Sequence, residues 1–162
     1  MVSVEGGVGV VDGLEGSLVN EDHARRKNNF TKKEDAGKFV EETDVGALAI
    51  AVGTVHGVFA SKPDIDLERI AEVRSAVETP LVLHGCSGLS DDDFRKVIRN
   101  GVKKINYFTN LVIEATRAAR EAINDATDVN YLDLNMYAMS AMKNMIIGIM
   151  DVIGSSGKGL PR

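Results

Sequence analysis

The chain has one cysteine, no tryptophan and three prolines in 162 residues. A single thiol, Cys86, excludes an internal disulfide framework and a cysteine-rich zinc site. There is no excess of positive charge: 19 Lys and Arg stand against 24 Asp and Glu, for a net charge of −5. With no basic stripe, nucleic acid is not an expected partner. No uninterrupted apolar run is long enough to span a membrane, since Lys143, Asn144 and Asp151 break the apolar stretch from Met136 to Ile153. No secretory signal is evident, because Met1 leads directly into a strand-like Val2-Ser3-Val4, so a cytoplasmic location is the default expectation. What the chain does have is glycine, 16 residues of it, which suits tight strand-to-helix turns.

Two segments resemble one another. Ala51-Val52-Gly53-Thr54-Val55-His56-Gly57 and Leu81-Val82-Leu83-His84-Gly85-Cys86-Ser87-Gly88 are each an apolar β-like run ending in His-Gly. The two histidines are 28 residues apart, a suitable length for one strand–helix–strand repeat. In a parallel α/β fold both imidazoles would stand at the C-terminal ends of neighbouring strands, where α/β barrels keep their chemistry. Two converging neutral imidazoles make a candidate metal site. Taken singly, each is equally a hydrogen-bonded histidine at a strand end. His23, among the charged residues of a polar stretch, reads as solvent-exposed.

The periodicity predicts an alternating order. Val2–Val4 reads as a short buried strand, followed by a glycine-rich, then irregular segment reaching Thr31. Thr31 with Glu34 forms a capping-box pattern opening a helix to about Glu42. Ala47–Val52 is a second strand and 66–77 a helix. Pro80 precedes a third strand, Leu81–Leu83, and Ser90 caps a helix whose first turn is acidic. Gly101 ends that helix, and Lys103–Asn106 carries a fourth strand. Helices are expected over Asn110–Asn124 and Leu132–Ile153, followed by a glycine-rich tail. Repeated βα units argue for a parallel sheet with right-handed crossovers. Four such units are half of an eight-stranded barrel, which typically needs about 250 residues. An open flavodoxin-like sheet is the alternative, though it would gather its site residues at one crevice.

Four motifs in order carry a resemblance to a known family. They are Val4-Glu5-Gly6-Gly7-Val8-Gly9 with Gly13-Leu14-Glu15, Gly53-Thr54-Val55-His56-Gly57, Leu83-His84-Gly85-Cys86-Ser87-Gly88, and Lys104-Ile105-Asn106-Tyr107-Phe108-Thr109. In this the sequence resembles the class II, zinc-dependent ketose-bisphosphate aldolases, acting on fructose or tagatose bisphosphate. The closing Ile153-Gly154-Ser155-Ser156-Gly157-Lys158 also looks like the family's tail. The resemblance implies the C-terminal half of a TIM-type (β/α)8 barrel, about four βα units corresponding to strands 5–8. Residues 1–125 would be that half, and 126–162 a C-terminal helical extension and tail of the same domain.

The implied activity is reversible aldol cleavage of a ketose 1,6-bisphosphate to dihydroxyacetone phosphate and an aldehyde, the work of a glycolytic or related carbohydrate-metabolic lyase. The implied metal is Zn2+ held by His56 and His84, acting as a Lewis acid on the charge that develops beside the carbonyl. By the same resemblance, Asn106 hydrogen-bonds the dihydroxyacetone portion and Glu15 exchanges a proton at its carbon. A strand-end turn asparagine and a solvated loop carboxylate are the plain alternatives for these two. Gly57, Gly85, Ser87 and Thr109 would grip the phosphate, near which family members also bind a monovalent cation, Na+ or K+. Cys86 reads as a small filler.

The sequence departs from the family in three places. Its first four strands, third histidine ligand and neighbouring aspartate have no counterpart here. Gly7 replaces the second glutamate of Glu-x-Glu, and Phe108 stands where fructose-type members often have aspartate and tagatose-type members alanine. Two histidines are one short of the usual three protein ligands of catalytic zinc. Three readings follow: a truncated piece of a full aldolase, a half that pairs with a complementary N-terminal half or with itself as a homo-oligomer, or a non-catalytic sugar-phosphate-binding half barrel.

Overall fold

A computed structural model of the chain describes residues 2–19, 29–59, 63–125 and 128–159. The chain divides into two compact units, residues 1–107 and 108–162. The first is an α/β unit containing β1 (Glu5–Val8), β2 (Gly13–Val19), α1 (Lys33–Thr43), β3 (Ala47–Ile50) and β4 (His56–Phe59). It continues through α2 (Leu67–Ala76), β5 (Leu81–Leu83), a 3-10 turn (Cys86–Gly88), α3 (Asp91–Arg99) and β6 (Val102–Ile105). The second unit contains two helices that pack on one another, α4 (Thr109–Asp125) and α5 (Tyr131–Val152). Among the described residues no helix is long and apolar enough to cross a membrane.

The main sheet has the order β1-β3-β5-β6, with every pair parallel. Its register sorts the side chains by face, because paired residues point the same way and successive residues alternate. Leu48, Leu81 and Val102 share one face with Ile50 and Leu83, and all are at most 1% exposed. Ile70 and Val73 of α2 and Phe94 and Val97 of α3 are equally buried and complete this apolar core. Each such side chain contributes roughly 1.5–3 kcal/mol through removal from water. The opposite face carries Gly7, Ala49, Val82 and Lys104 in one row, with Glu5 and Ala47 in the row before it. Lys104 reaches that face through an irregularity in the β5–β6 ladder. Leu81 pairs with Val102 but Val82 pairs with Lys104, so Lys103 is an inserted residue. In an unshifted register Lys103 would stand opposite Val82 and Lys104 opposite Leu83, among the core side chains.

The first strand differs from the sequence expectation. It runs over Glu5–Val8 and not Val2–Val4, whose two valines are exposed at 88% and 59%. Strand propensity favours the valines, but packing selects the glycines. A Cβ at Gly6 would come within 2.6 Å of the Phe39 ring of α1, so only glycine lets the helix lie this close. The capping box at Thr31 is also absent. Lys32 is the N-cap of α1, without a side-chain cap. Thr31 is buried instead, its hydroxyl donating to Val8 O at 2.5 Å and accepting from the Ala51 amide at 2.8 Å, so it ties β1 to the end of β3.

Two strands appear where loops are expected: β2, within the stretch read as irregular, and β4, which begins at His56. They pair in parallel, with Gly13 opposite His56. Gly13 and Gly16 within it weaken the alternating signal that would reveal β2. Ser90 acts as expected and forms with Asp93 a reciprocal capping box on α3. Asp66, expected as the first residue of a helix, is the N-cap of α2 and accepts from the Arg69 amide at 2.9 Å. Gly101, at φ 118°, follows α3.

In the second unit Leu111 and Ala122 of α4 are buried. No residue of α5 is buried, and Tyr131, Leu132, Met136 and Met139 are each more than 60% exposed.

Candidate functional site

The face that carries Glu5 and Lys104 continues past the strand ends. His84 follows β5 two residues beyond Val82, and Asn106 follows β6 two residues beyond Lys104, so alternation returns both to the face of Glu5 and Lys104. The Asn106 amide donates to Leu83 O at 2.9 Å, which extends the ladder by one rung and sets Asn106 beside His84.

These four side chains form a closed network. Glu5 Oε1 lies 2.7 Å from His84 Nε2, and Glu5 Oε2 accepts from Lys104 Nζ at 2.8 Å. The Lys104 ammonium also donates to Asn106 Oδ1 at 2.6 Å. The Asn106 amide nitrogen lies 3.0 Å from each ring nitrogen of His84, closing the circuit. Partial burial works to raise the Glu5 carboxyl, but hydrogen bonds and charge from Lys104 and His84 outweigh it and hold the pKa below the ordinary value.

His56 opens β4, six residues beyond the end of β3, so it is not at the strand end that the sequence suggested. Its amide donates to Asp12 O at 2.8 Å. The imidazoles of His56 and His84 nonetheless meet edge to face, with centroids 5.7 Å apart and planes at 61°. Gly85 makes this approach possible. It sits at φ 67°, and a Cβ there would fall 2.4 Å from Val55 O, the carbonyl just before His56. Gly57 has φ 103°, and Ser87 is buried in the 3-10 turn. Between His56 and the end of β3, Thr54 is 3% exposed and its hydroxyl has no hydrogen-bond partner among the described residues.

The remaining site candidates fall elsewhere. Glu15 lies on β2, but its side chain is outside the described residues, as is all of His23. Thr109 is the first residue of α4 in the second unit. Cys86 is buried, with its thiol 3.3 Å from Leu83 O, in keeping with a filler role. Glu5 and Lys104 were not picked out as site residues. The signal was present, since Lys104 precedes Asn106 by one strand repeat and Glu5 is the acidic residue of the first motif, Val4–Gly9.

Two imidazoles bound to one tetrahedral zinc, with Zn–N bonds of about 2.0–2.1 Å, put their centroids roughly 5 Å apart. The 5.7 Å separation of His56 and His84 fits that chemistry for two legs of a site. Among the described residues, no group of three or more His, Cys, Asp or Glu could hold a metal ion.

The family model described as fructose-bisphosphate aldolase class II matches residues 1–158. YdjI from Escherichia coli K12, an uncharacterised protein among curated sequences, is 38% identical over 130 residues, covering 80% of this chain and 45% of YdjI. The crystal structure of the YdjI aldolase superposes with a TM-score of 0.79 at 33% identity, covering 98% of this chain and 52% of that one. A candidate fructose-1,6-bisphosphate aldolase from Coccidioides immitis gives a TM-score of 0.81 at 29% identity, covering 97% and 54%. The fold is shared with a fructose-bisphosphate aldolase from Campylobacter jejuni at 19% identity, with a TM-score of 0.66 and coverage of 98% and 53%. The chain thus spans about half the length of the proteins it matches.

Proposed function

The chain belongs to the class II fructose-bisphosphate aldolase family, and from that premise we propose that it supplies the zinc-binding and phosphate-binding side of a site for reversible aldol cleavage of a ketose 1,6-bisphosphate. The products are dihydroxyacetone phosphate and an aldehyde. The observation that carries the reading is the meeting of His56 and His84 at 5.7 Å, with Asn106 hydrogen-bonded beside them.

His56 and His84 would hold the metal. A zinc ion bound there supplies Lewis-acid stabilisation of negative charge on a carbonyl or hydroxyl oxygen. The second N–H of the Asn106 amide is left to orient the dihydroxyacetone hydroxyl. Gly57, Gly85 and Ser87 follow the two histidines, where backbone N–H groups can converge on a phosphate. The unpartnered hydroxyl of Thr54 supports a polar ligand at this end. A monovalent cation, Na+ or K+, balances the phosphate charge. Glu15, on β2, exchanges the proton at the dihydroxyacetone carbon.

The four-stranded sheet represents one side of a (β/α)8 barrel. In a flat sheet β1 and β6 lie three strand spacings apart, about 14 Å. A 2.8 Å contact between Glu5 and Lys104 on those strands is readily made only where the sheet curls toward their common face. The exposed apolar residues of α5 support burial against a second copy or a complementary half.

The test is binding and cleavage together. Dihydroxyacetone phosphate is titrated into the zinc-supplemented chain, and retro-aldol turnover of fructose and tagatose bisphosphates is followed with and without a chelator. Zinc-dependent turnover is expected, with Asn106→Ala weakening ligand binding. The absence of a third metal ligand among the described residues favours a second reading, a sugar-phosphate-binding module without chemistry. Chelator-insensitive phosphate binding with no turnover would establish that reading and refute the first.

A further inference from the structure

The closed network on the face of Glu5 and Lys104 leaves no freedom in where its protons sit. Lys104 can only donate, so the Asn106 atom 2.6 Å from its ammonium must be the carbonyl oxygen. That fixes the amide, and the NH2 group faces His84. The amide nitrogen is 3.0 Å from both ring nitrogens, so it lies over the ring and off the in-plane lone pair of either one. The tautomer is set by Glu5, whose carboxylate, already accepting from Lys104, requires a protonated nitrogen at Nε2, 2.7 Å away. The neutral ring then carries its lone pair on Nδ1. Each member of the circuit therefore decides the orientation of the next.

We propose that Glu5 and Lys104 are positioning residues: together they lock His84 in the Nε2–H tautomer and Asn106 with its NH2 toward the ring, which leaves His84 Nδ1 as the metal-binding nitrogen. The last step rests on the reading of His84 as a zinc ligand; the lock itself does not. A carboxylate that holds the far N–H of a ligating histidine fixes the ring and increases its basicity, and loss of such a partner typically costs 10–100-fold in metal affinity. The register shift at Lys103 bears on this arrangement, because it sets Lys104, and not Lys103, opposite Val82 on the face of Glu5, His84 and Asn106.

The experiment is long-range 1H–15N imidazole spectroscopy on the full, 15N-labelled, metal-free chain at neutral pH, with His84→Ala to assign the signals. The wild type is expected to show His84 as a single tautomer, protonated at Nε2. Glu5→Met and Glu5→Leu each release the lock and spread His84 over both tautomers. Glu5→Gln, which keeps an acceptor oxygen, retains Nε2–H. Lys104→Met leaves Glu5 facing Nε2, so it keeps the tautomer and shifts the Asn106 side-chain amide signals instead. Circular dichroism identifies a variant that fails to fold, and either of the two apolar Glu5 variants suffices. A wild-type His84 protonated at Nδ1, a single unchanged tautomer in a folded apolar Glu5 variant, or unmoved Asn106 signals in folded Lys104→Met overturns the proposal. Zinc titration of the same proteins separates the two readings. Loss of zinc in His84→Ala with unchanged affinity in Glu5→Met overturns the positioning role and keeps His84 as a ligand. Unchanged zinc in His84→Ala overturns the ligand reading, while the tautomer result still decides the lock.

Discussion

Gly85→Ala tests whether the histidine pair is held together by a close backbone approach. Two costs add. An L-residue in the left-handed conformation costs about 1–2 kcal/mol, and Gly85 sits at φ 67°. The new methyl would also lie 2.4 Å from Val55 O and 2.6 Å from Val55 C, atoms of the main chain that can yield only by moving the strand entry. Overpacking of this kind costs typically 1–3 kcal/mol, so the total is about 2–5 kcal/mol. A control with the opposite sign lies in the same unit. Gly37 is inside α1 with nothing within 4 Å of its would-be Cβ, so Gly37→Ala should stabilise by about 0.5–1 kcal/mol. Urea unfolding followed by far-ultraviolet circular dichroism measures both, read as midpoint shifts at constant slope. Zinc affinity should fall in Gly85→Ala, because His56 follows Val55, and should be unchanged in Gly37→Ala. A Gly85→Ala chain within 0.5 kcal/mol of wild type would refute the close approach.

Thr31→Val should cost about 1–3 kcal/mol, since the Ala51 amide loses its acceptor in a buried setting; urea midpoints check it. Ser90→Ala removes one side of the α3 capping box and should cost about 1 kcal/mol in the same assay. Phe94→Ala, at a 1% exposed site, should cost about 3–5 kcal/mol. The Glu5 carboxyl has its folded pKa depressed below the ordinary 4.5, so its contribution is present above that pH and is lost as pH falls through the lower folded value. Acid unfolding of Glu5→Gln should accordingly show a shallower loss of stability below pH 4.5 than the wild type.

Much of the alternating βα order was legible because the buried strands are short apolar runs and the helices carry their own caps. Ser90 and Gly101 act locally, so residues a few positions apart were enough to read them. The failures come from long-range packing. Glycines 6 and 7 form a strand because Phe39, more than thirty residues later, needs the space over Gly6. Thr31 abandons its cap because Val8 O and the Ala51 amide, both distant in sequence, claim its hydroxyl. The candidate site divides the same way. His56 and His84 were marked by their motifs. The Glu5–Lys104 strap joins residues 99 apart and depends on a one-residue insertion in the β5–β6 ladder, which no local pattern announces.

The measurement that bears most directly on the proposed function is zinc stoichiometry and affinity of the purified chain at neutral pH, with His56→Ala and His84→Ala alongside. The expected result is one zinc per chain in the wild type and loss of that zinc in both variants, since each removes one of the two facing imidazoles. A folded wild-type chain that takes up no zinc, or either alanine variant that keeps it at full stoichiometry, would contradict the assignment of His56 and His84 as metal ligands.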